Sequence, residues 1–145
     1  MPQTGSRNDP YSAFNFLVEI DGVTVAGFSE CSGLTTETDV IEYRNGSEDI
    51  TVRKLPGLKK FTNINFKRGF TDSRELWEWR TKVMDGRTER QSGSIVLLNE
   101  ARDPALRWNF REGWPTKWSG PTLNAKNNEV AIEELEIAVE SLVLE

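Results

Sequence analysis

AFNFLVEIDGVTVAGFSECSGL, residues 13–34, decides the architecture of this chain. Phe14, Phe16, Val18 and Ile20 alternate with Asn15, Leu17 and Glu19, so an extended backbone would carry an apolar face and an opposite, more polar one. Asp21-Gly22 then offers a type I′ reversal, whose central residues need positive φ, into Val23, Val25 and Gly27-Phe28. These residues predict a β-hairpin with locally set register, and the neighbouring segments have to fit a β frame.

Upstream, residues 1–12 combine Gly, Pro, Ser and Asn without periodicity and are expected to form a flexible arm, leaving 13–145 as a single domain. Downstream, Ser32-Gly33 breaks the strand, and 35–55 reads as a second pair of runs around Asn45-Gly46. Neither face of this pair is consistently apolar, so it either projects into solvent or is covered by another chain. Leu55-Pro56-Gly57-Leu58 has the order of a type II turn. Residues 61–67 form a strand with Ile64 and Phe66 on one face, closed by Gly69.

One helix is expected over about 73–85, with Asp72 and Glu75 as a capping box and Gly86 ending it in the left-handed conformation. Its apolar stripe is Leu76, Trp79 and Val83, widened by Trp77 and Met84, with Arg80 inside the arc needing a carboxylate or an edge. Ser94–Asn99 is apolar on both faces, as in a strand covered twice. Leu106, Trp108 and Phe110 alternate with Arg107, Asn109 and Arg111, separating an aromatic from a basic face, and GWPTKWSGP (113–121) is expected to cross between sheets. Residues 129–144 suit a helix or a strand with slips at Glu133-Glu134 and near Ser141; in a β-rich chain the bulged strand is preferred. Six or seven strands and one helix make a mainly β (α+β) fold, an antiparallel sandwich or barrel of two packed sheets with a flanking α-helix. Leu76, Trp77, Trp79, Val83, Trp108 and Phe110 are the expected helix and core packing set.

Composition narrows function. The chain has 145 residues, 37% of them apolar, enough for one core, and a net charge of −5 that gives no general attraction to nucleic acid or anionic membranes. The N-terminal segment lacks the apolar run of a signal peptide or membrane span, so synthesis in the cytoplasm as a soluble protein is expected, with no membrane insertion. There is no histidine and one cysteine, Cys31, which removes Ser-His-Asp and Cys-His sites and thiolate or imidazole zinc centres. Glu48-Asp49 and Glu133-Glu134 are adjacent carboxylates, but strand neighbours point to opposite faces and cannot share a substrate. No phosphate-cradling glycine loop occurs, so no cofactor and no enzymatic activity is expected. Cys31 reads as a small packing residue, and the five tryptophans read as core rather than a base-stacking surface.

VIEYR (40–44), TVRKLPGLKK (51–60), Arg68-Gly69 before the helix, GWPTKWSGP and NEVAIEELEI (128–137) occur together and in order. Through them the chain, over about 10–144, closely resembles the tail tube proteins of contractile phages and related contractile injection systems. Where that family often ends its last strand with an Ala-His-Glu-Gly-like sequence, Ala138-Val139-Glu140-Ser141 stands here, so no role of that histidine or glycine carries over. The resemblance implies two packed sheets and a flanking helix, similar to the haemolysin-coregulated tube protein of type VI secretion. It also implies hexameric rings stacked into a hollow conduit inside a contractile sheath, with baseplate and tube-cap proteins as partners and an effector protein or DNA as lumen cargo. Glu42, Arg44, Asn45, Glu48, Asp49 and Arg53 are then candidates for the contact between rings. Arg107, Asn109 and Arg111 are candidates for the lumen or a subunit interface. Two further readings stand beside this one: a specialised tube-initiating subunit at the baseplate, and a stand-alone β-sandwich binding module.

Overall fold

A computed structural model describes residues 9–21, 27–44, 46, 51–126 and 128–145. Nine strands and one helix follow in the order β1 (Phe16–Ile20), β2 (Phe28–Ser32), β3 (Thr36–Tyr43), β4 (Arg53–Phe61), β5 (Ile64–Gly69), α1 (Glu75–Met84), β6 (Gln91–Leu98), β7 (Pro104–Ser119), β8 (Ile132–Ala138) and β9 (Ser141–Leu144). All pairings are antiparallel, along the path β1-β6-β7-β8-β5-β2 with β9 also on β7, while β3 and β4 pair separately. Within the expected first hairpin the described strands do not pair with each other. β1 pairs with β6 and β2 with β5, at opposite ends of the path, and the proposed turn at Gly22 with Val23 and Val25 lies outside the described residues.

β7 holds the two halves together, as expected for a segment that crosses between sheets. Residues 104–113 pair with β6, residues 108–111 also with β9, and residues 114–119 pair with β8. The change of direction falls at Glu112, with φ +56°, a left-handed conformation that a non-glycine residue adopts at a cost. The inward faces of both halves close on Val18, Ile20, Ile64, Phe66, Ile95, Phe110, Leu135 and Ile137, with Leu76 and Trp79 of α1 added from the side. β6 is covered on both faces, since Ile95, Val96 and Leu98 are all buried.

The alternation in β1 holds for Val18 and Ile20, but Phe14 is 82% exposed, and Asn15, expected on the polar side, is buried. Its amide donates to the Asn99 carbonyl (2.9 Å) and its Oδ1 accepts from Arg102 Nη1 (3.0 Å), so a polar group is hidden with its hydrogen bonds made.

Helix α1 starts without the expected capping box. Arg74 is the N-cap residue, and no side chain caps the first turn. The C-terminal end follows the expectation: Gly86 has φ +79°, its N–H donates to the Val83 carbonyl, and the Arg87 N–H donates to that of Lys82. The buried stripe is narrower than the periodicity suggested. Leu76 and Trp79 are buried, Val83 is half-buried, and Trp77 and Met84 face outward. Trp79 buries its indole with a partner, Nε1–H donating to the Glu89 carbonyl (2.8 Å). Arg80 is half-buried and takes no carboxylate partner among the described residues.

Residues 132–144 are strand, broken near Ser141 as expected, where Ala138 ends β8 and Ser141 opens β9. The slip expected at Glu133-Glu134 does not occur: β8 runs in continuous register on β5, from Gly69 opposite Ile132 to Ile64 opposite Ile137. Glu133, Leu135 and Ile137 share the inward face, so a carboxylate occupies a core position. Pro56-Gly57 is likewise not a turn but part of β4. The register moves there from Thr38 opposite Lys59 to Val40 opposite Pro56, one extra residue on β4, a bulge on a strand with a free edge.

Cys31 packs beside the core, and its thiol is pushed up to about 12, first by burial and then by the charge of Glu30. A rise from 9 to about 12 lowers the thiolate fraction at pH 8 by about a thousandfold. The native chain should therefore react with Ellman's reagent at pH 8 about a thousandfold more slowly than an unperturbed thiol, and the rate should rise sharply on adding denaturant.

Candidate functional site

The first surface is the β3–β4 ribbon. Thr62 ties its root: the N–H donates to the Thr35 carbonyl (3.3 Å) and the hydroxyl to that of Gly33 (3.0 Å). Gly33 has φ +90°, and a Cβ there would run into the Asn63 carbonyl, so the exit of the ribbon is fixed. Beyond the root, Val40, Ile41, Tyr43, Leu55 and Leu58 are exposed large apolar side chains on a two-stranded ribbon that pairs with no other strand among the described residues. Such a ribbon is marginal by itself in water. Glu42, Arg44 and Arg53 sit at its far end, where Tyr43 faces Arg53, and Lys60 pairs with Asp39 at 3.0 Å. Asn45, Glu48 and Asp49 lie outside the described residues.

The second surface is the outward face of β1, β6, β7 and β9. Arg107 Nη1 lies 3.2 Å from Glu19 and its Nε 3.8 Å from Glu145, while Ser94 Oγ donates to Asn109 Oδ1 (2.6 Å). Arg111 is exposed. The basic face foreseen from alternation is thus half neutralised by the carboxylates of Glu19, two strands away on β1, and Glu145. With Arg107 a third exposed, these pairs add little stability, and their effect is to set the charge pattern. The corresponding face of β2, β5 and β8 is also laced with charge. Lys67 meets Glu30 at 3.2 Å, and its ammonium is held above the usual range by that hydrogen bond and then by the charges of Glu30 and Glu134.

The third feature joins residues that periodicity kept apart. Phe70, Ser73, Arg74, Trp77, Trp118 and Glu133 line a cleft of about 250 Å³ beside α1. Trp77 and Trp118 meet edge to face with centroids 4.9 Å apart, and Phe70 meets Trp118 likewise at 6.1 Å. Below them Glu133 accepts from Trp118 Nε1–H (3.1 Å) and, through its other oxygen, from Arg68 Nε. Both ions are almost fully buried, and Arg68 Nη1 and Nη2 have no hydrogen-bond partner among the described residues. The Arg68 guanidinium lies over the Phe28 ring at 5.7 Å. The one hint of this group in the sequence is the break in alternation at Glu133-Glu134, which a strand-only reading assigns to backbone irregularity.

Of the expected packing set, Leu76, Trp79 and Phe110 are buried, Val83 and Trp108 half-buried, and Trp77 forms a cleft wall. Among the described residues no group of three or more His, Cys, Asp and Glu side chains is placed to hold a metal ion, and no helix is long and apolar enough to cross a membrane. β1 and β2 end the strand path, each with one edge unpaired among the described residues. Such edges pair readily with another chain.

Comparison with known proteins bears on these surfaces. Residues 12–143 match the family model described as T4-like virus tail tube protein gp19. A chain in the sheath–tube complex of an extracellular contractile injection system (PVC, extended state) is 28% identical with a TM-score of 0.85, over 94% of this chain and 91% of that one. A chain in the anti-feeding prophage cap, a tube-terminating cap, is 26% identical with a TM-score of 0.87, over 97% and 93%. Hcp1 from Flavobacterium johnsoniae shares the fold, with a TM-score of 0.58 at 17% identity over 90% and 94%. Comparison with curated protein sequences yields no match.

Proposed function

The chain belongs to the T4-like virus tail tube protein family and has a structural, tail-tube-type role, and from that premise we propose that it forms hexameric rings which stack into the hollow inner tube of a contractile particle. The observation that carries the proposal is the pair of open edges, β1 and β2, at the two ends of the strand path. A head-to-tail contact that joins the two rims continues the sheet from copy to copy, closes when the rotation permits, and covers both of those edges. The ribbon then contacts the next ring through Glu42, Arg44, Asn45, Glu48, Asp49 and Arg53, which gives its exposed apolar side chains a place to be buried. The face with Arg107, Asn109 and Arg111 lines the lumen or a subunit interface. The conduit works passively: contraction of a surrounding sheath drives it forward, baseplate and cap proteins bound its ends, and the lumen holds an effector protein or DNA.

A second reading, a specialised subunit at one end of the tube, draws support from the similarity to the chain in the tube-terminating cap structure. Purified chain imaged by negative stain decides between assembly and a stand-alone module: long tubes of stacked rings are expected. Deleting residues 44–48 should leave single rings and no long tubes. Long tubes from that deletion refute the ribbon's role, and single chains from the intact protein at high concentration refute the whole reading.

A further inference from the structure

We propose that the β3–β4 ribbon opens and closes as a unit of its own in the single chain, and that assembly of copies selects its closed form. The second half rests on the tube reading; the first concerns the single chain alone. Two things hold a pair of strands: the ladder between them, and burial of a face against something else. β3 and β4 have the first and lack the second. Every described residue from 36 to 60 is exposed except Asp39 and Gly57, which are half-buried. Beyond each other, the two strands make no extended packing contact with another element, and no third strand joins them among the described residues. A two-stranded pair without such cover is marginally stable at best, whereas the remaining strands and α1 share one core. Segments with little apolar burial and solvent-exposed backbone bonds open at free energies far below that of global unfolding.

The side chains explain why the ribbon builds no core of its own. Val40 and Ile41 are neighbours in β3 and point to opposite faces, yet both are more than half exposed. Ile41 faces Leu55 across the ladder and shares that face with Tyr43, while Val40 faces Pro56 on the other, so the apolar area is divided between two sides. The bulge between Thr38 and Val40 interrupts the ladder midway, and Pro56 has no N–H to donate there. Opposite charges face each other in the closed form, Glu37 with Lys60 and Glu42 with Lys54, and Lys60 meets Asp39 at 3.0 Å. These pairs are exposed and add little. Firm attachment begins only at the root, where Phe61 packs beside the core and Thr62 bonds the Gly33 and Thr35 carbonyls. Opening is therefore confined to β3 and β4 beyond Phe61. A chain that docks in its closed form alone has its affinity for the next copy lowered by the closed fraction, and docking that covers the exposed apolar side chains draws the ribbon shut, a folding step coupled to association.

Trypsin reads the opening directly, since β4 carries Arg53, Lys54, Lys59 and Lys60. In full-length unassembled chain without denaturant, cleavage after these residues should be roughly a hundredfold or more faster than after Lys67 of β5 or Arg107 of β7, and the amides of β3 and β4 should exchange with deuterium well before those of β6. Equal protection of the ribbon and β6 overturns the proposal. The link to assembly is tested by stapling the ribbon shut. The Thr62 N–H bond to Thr35 makes 35 and 62 a hydrogen-bonded pair, so Thr38 and Lys59, three rungs on, form a non-hydrogen-bonded pair whose Cα atoms stand about 4.5 Å apart, within disulfide reach. Full-length chain carrying Thr38→Cys and Lys59→Cys should be resistant at the β4 sites when oxidised, and should then grow tubes at a concentration about two- to tenfold lower than the same chain reduced. Wild type, with Cys31 alone, should grow equally in both conditions. An oxidised variant that needs the same concentration as the reduced one, or a higher one, overturns the link between ribbon closure and growth. Wild-type chain that forms no tubes overturns the tube reading and that link together, and the cleavage pattern of the single chain still decides whether the ribbon opens by itself.

Discussion

Glu133→Ala is expected to lower the unfolding free energy of the isolated chain by about 3–5 kcal/mol, because it leaves the Arg68 guanidinium charged, buried and alone. The wild-type pair is already the least satisfied polar group of the described core: Nε of Arg68 is engaged by Glu133, while Nη1 and Nη2 have no acceptor. Against a total of about 5–15 kcal/mol for a domain of this kind, such a loss leaves little margin. Removing both charges is a different experiment. Arg68→Met with Glu133→Leu exchanges two desolvated ions for hydrocarbon of similar bulk, and it should be near neutral or stabilising, although the Trp118 indole loses its acceptor. Urea unfolding of unassembled chain, at concentrations too low for association, measures both variants free of the mass-action stability that a ring would add. A single variant as stable as wild type would show that the interior solvates Arg68 by other means.

Phe110→Ala is the second change expected to be severe, at about 3–5 kcal/mol for a fully buried aromatic side chain. Phe110 is 1% exposed and lies under two glycines. A Cβ at Gly93 would come within 2.6 Å of its Cζ, and one at Gly113 within 2.9 Å of its Cε1, so two backbones close directly on the ring. The cavity left by its removal is bounded by main chain held in the β6–β7 ladder and collapses poorly. Gly93→Ala alone should cost about 1–3 kcal/mol by overpacking. Combining it with Phe110→Ala should cost less than the sum, since the clash with the ring disappears, though the clash with the Glu19 carbonyl stays. Additivity of the two, measured by the same unfolding experiment, would count against the close approach of Gly93 to Phe110.

Phe110 lies on β7, the strand where the two halves of the sheet meet, and two of the candidate surfaces hang from that strand. β7 carries Arg107 and Arg111 on its first half and Trp118 of the cleft on its second, so a strand loosened at Phe110 loosens both surfaces at once. The ribbon is rooted separately at Gly33 and Thr62. Under the proposed function, loss of stability at β7 and loss of tube growth from the ribbon would therefore be separable, the first visible in unassembled chain and the second only on assembly.

What this sequence determined alone was local. Period-two alternation sufficed for β1, β5 and the first half of β7, because half-buried strands must place apolar and polar groups on opposite sides. Gly86 marked the helix end because a glycine meets no Cβ penalty at positive φ. The crossing at residues 113–121 was legible from Pro and Gly beside tryptophans, and the break near Ser141 from a change of phase. Only the tertiary structure decided which strands are neighbours. Asp21-Gly22 spoke only for the local turn, whereas the long-range partners of β1 and β2 are β6 and β5, which complete a shared core. Glu133 could not be placed inward from its neighbours, since its justification is an arginine 65 residues away. Pro56-Gly57 met the rule for a turn but lies in a bulged strand, because the partner strand β3 continues past it. Alternation reports how each segment meets water, whereas pairing and burial depend on contacts between segments that no local spacing encodes.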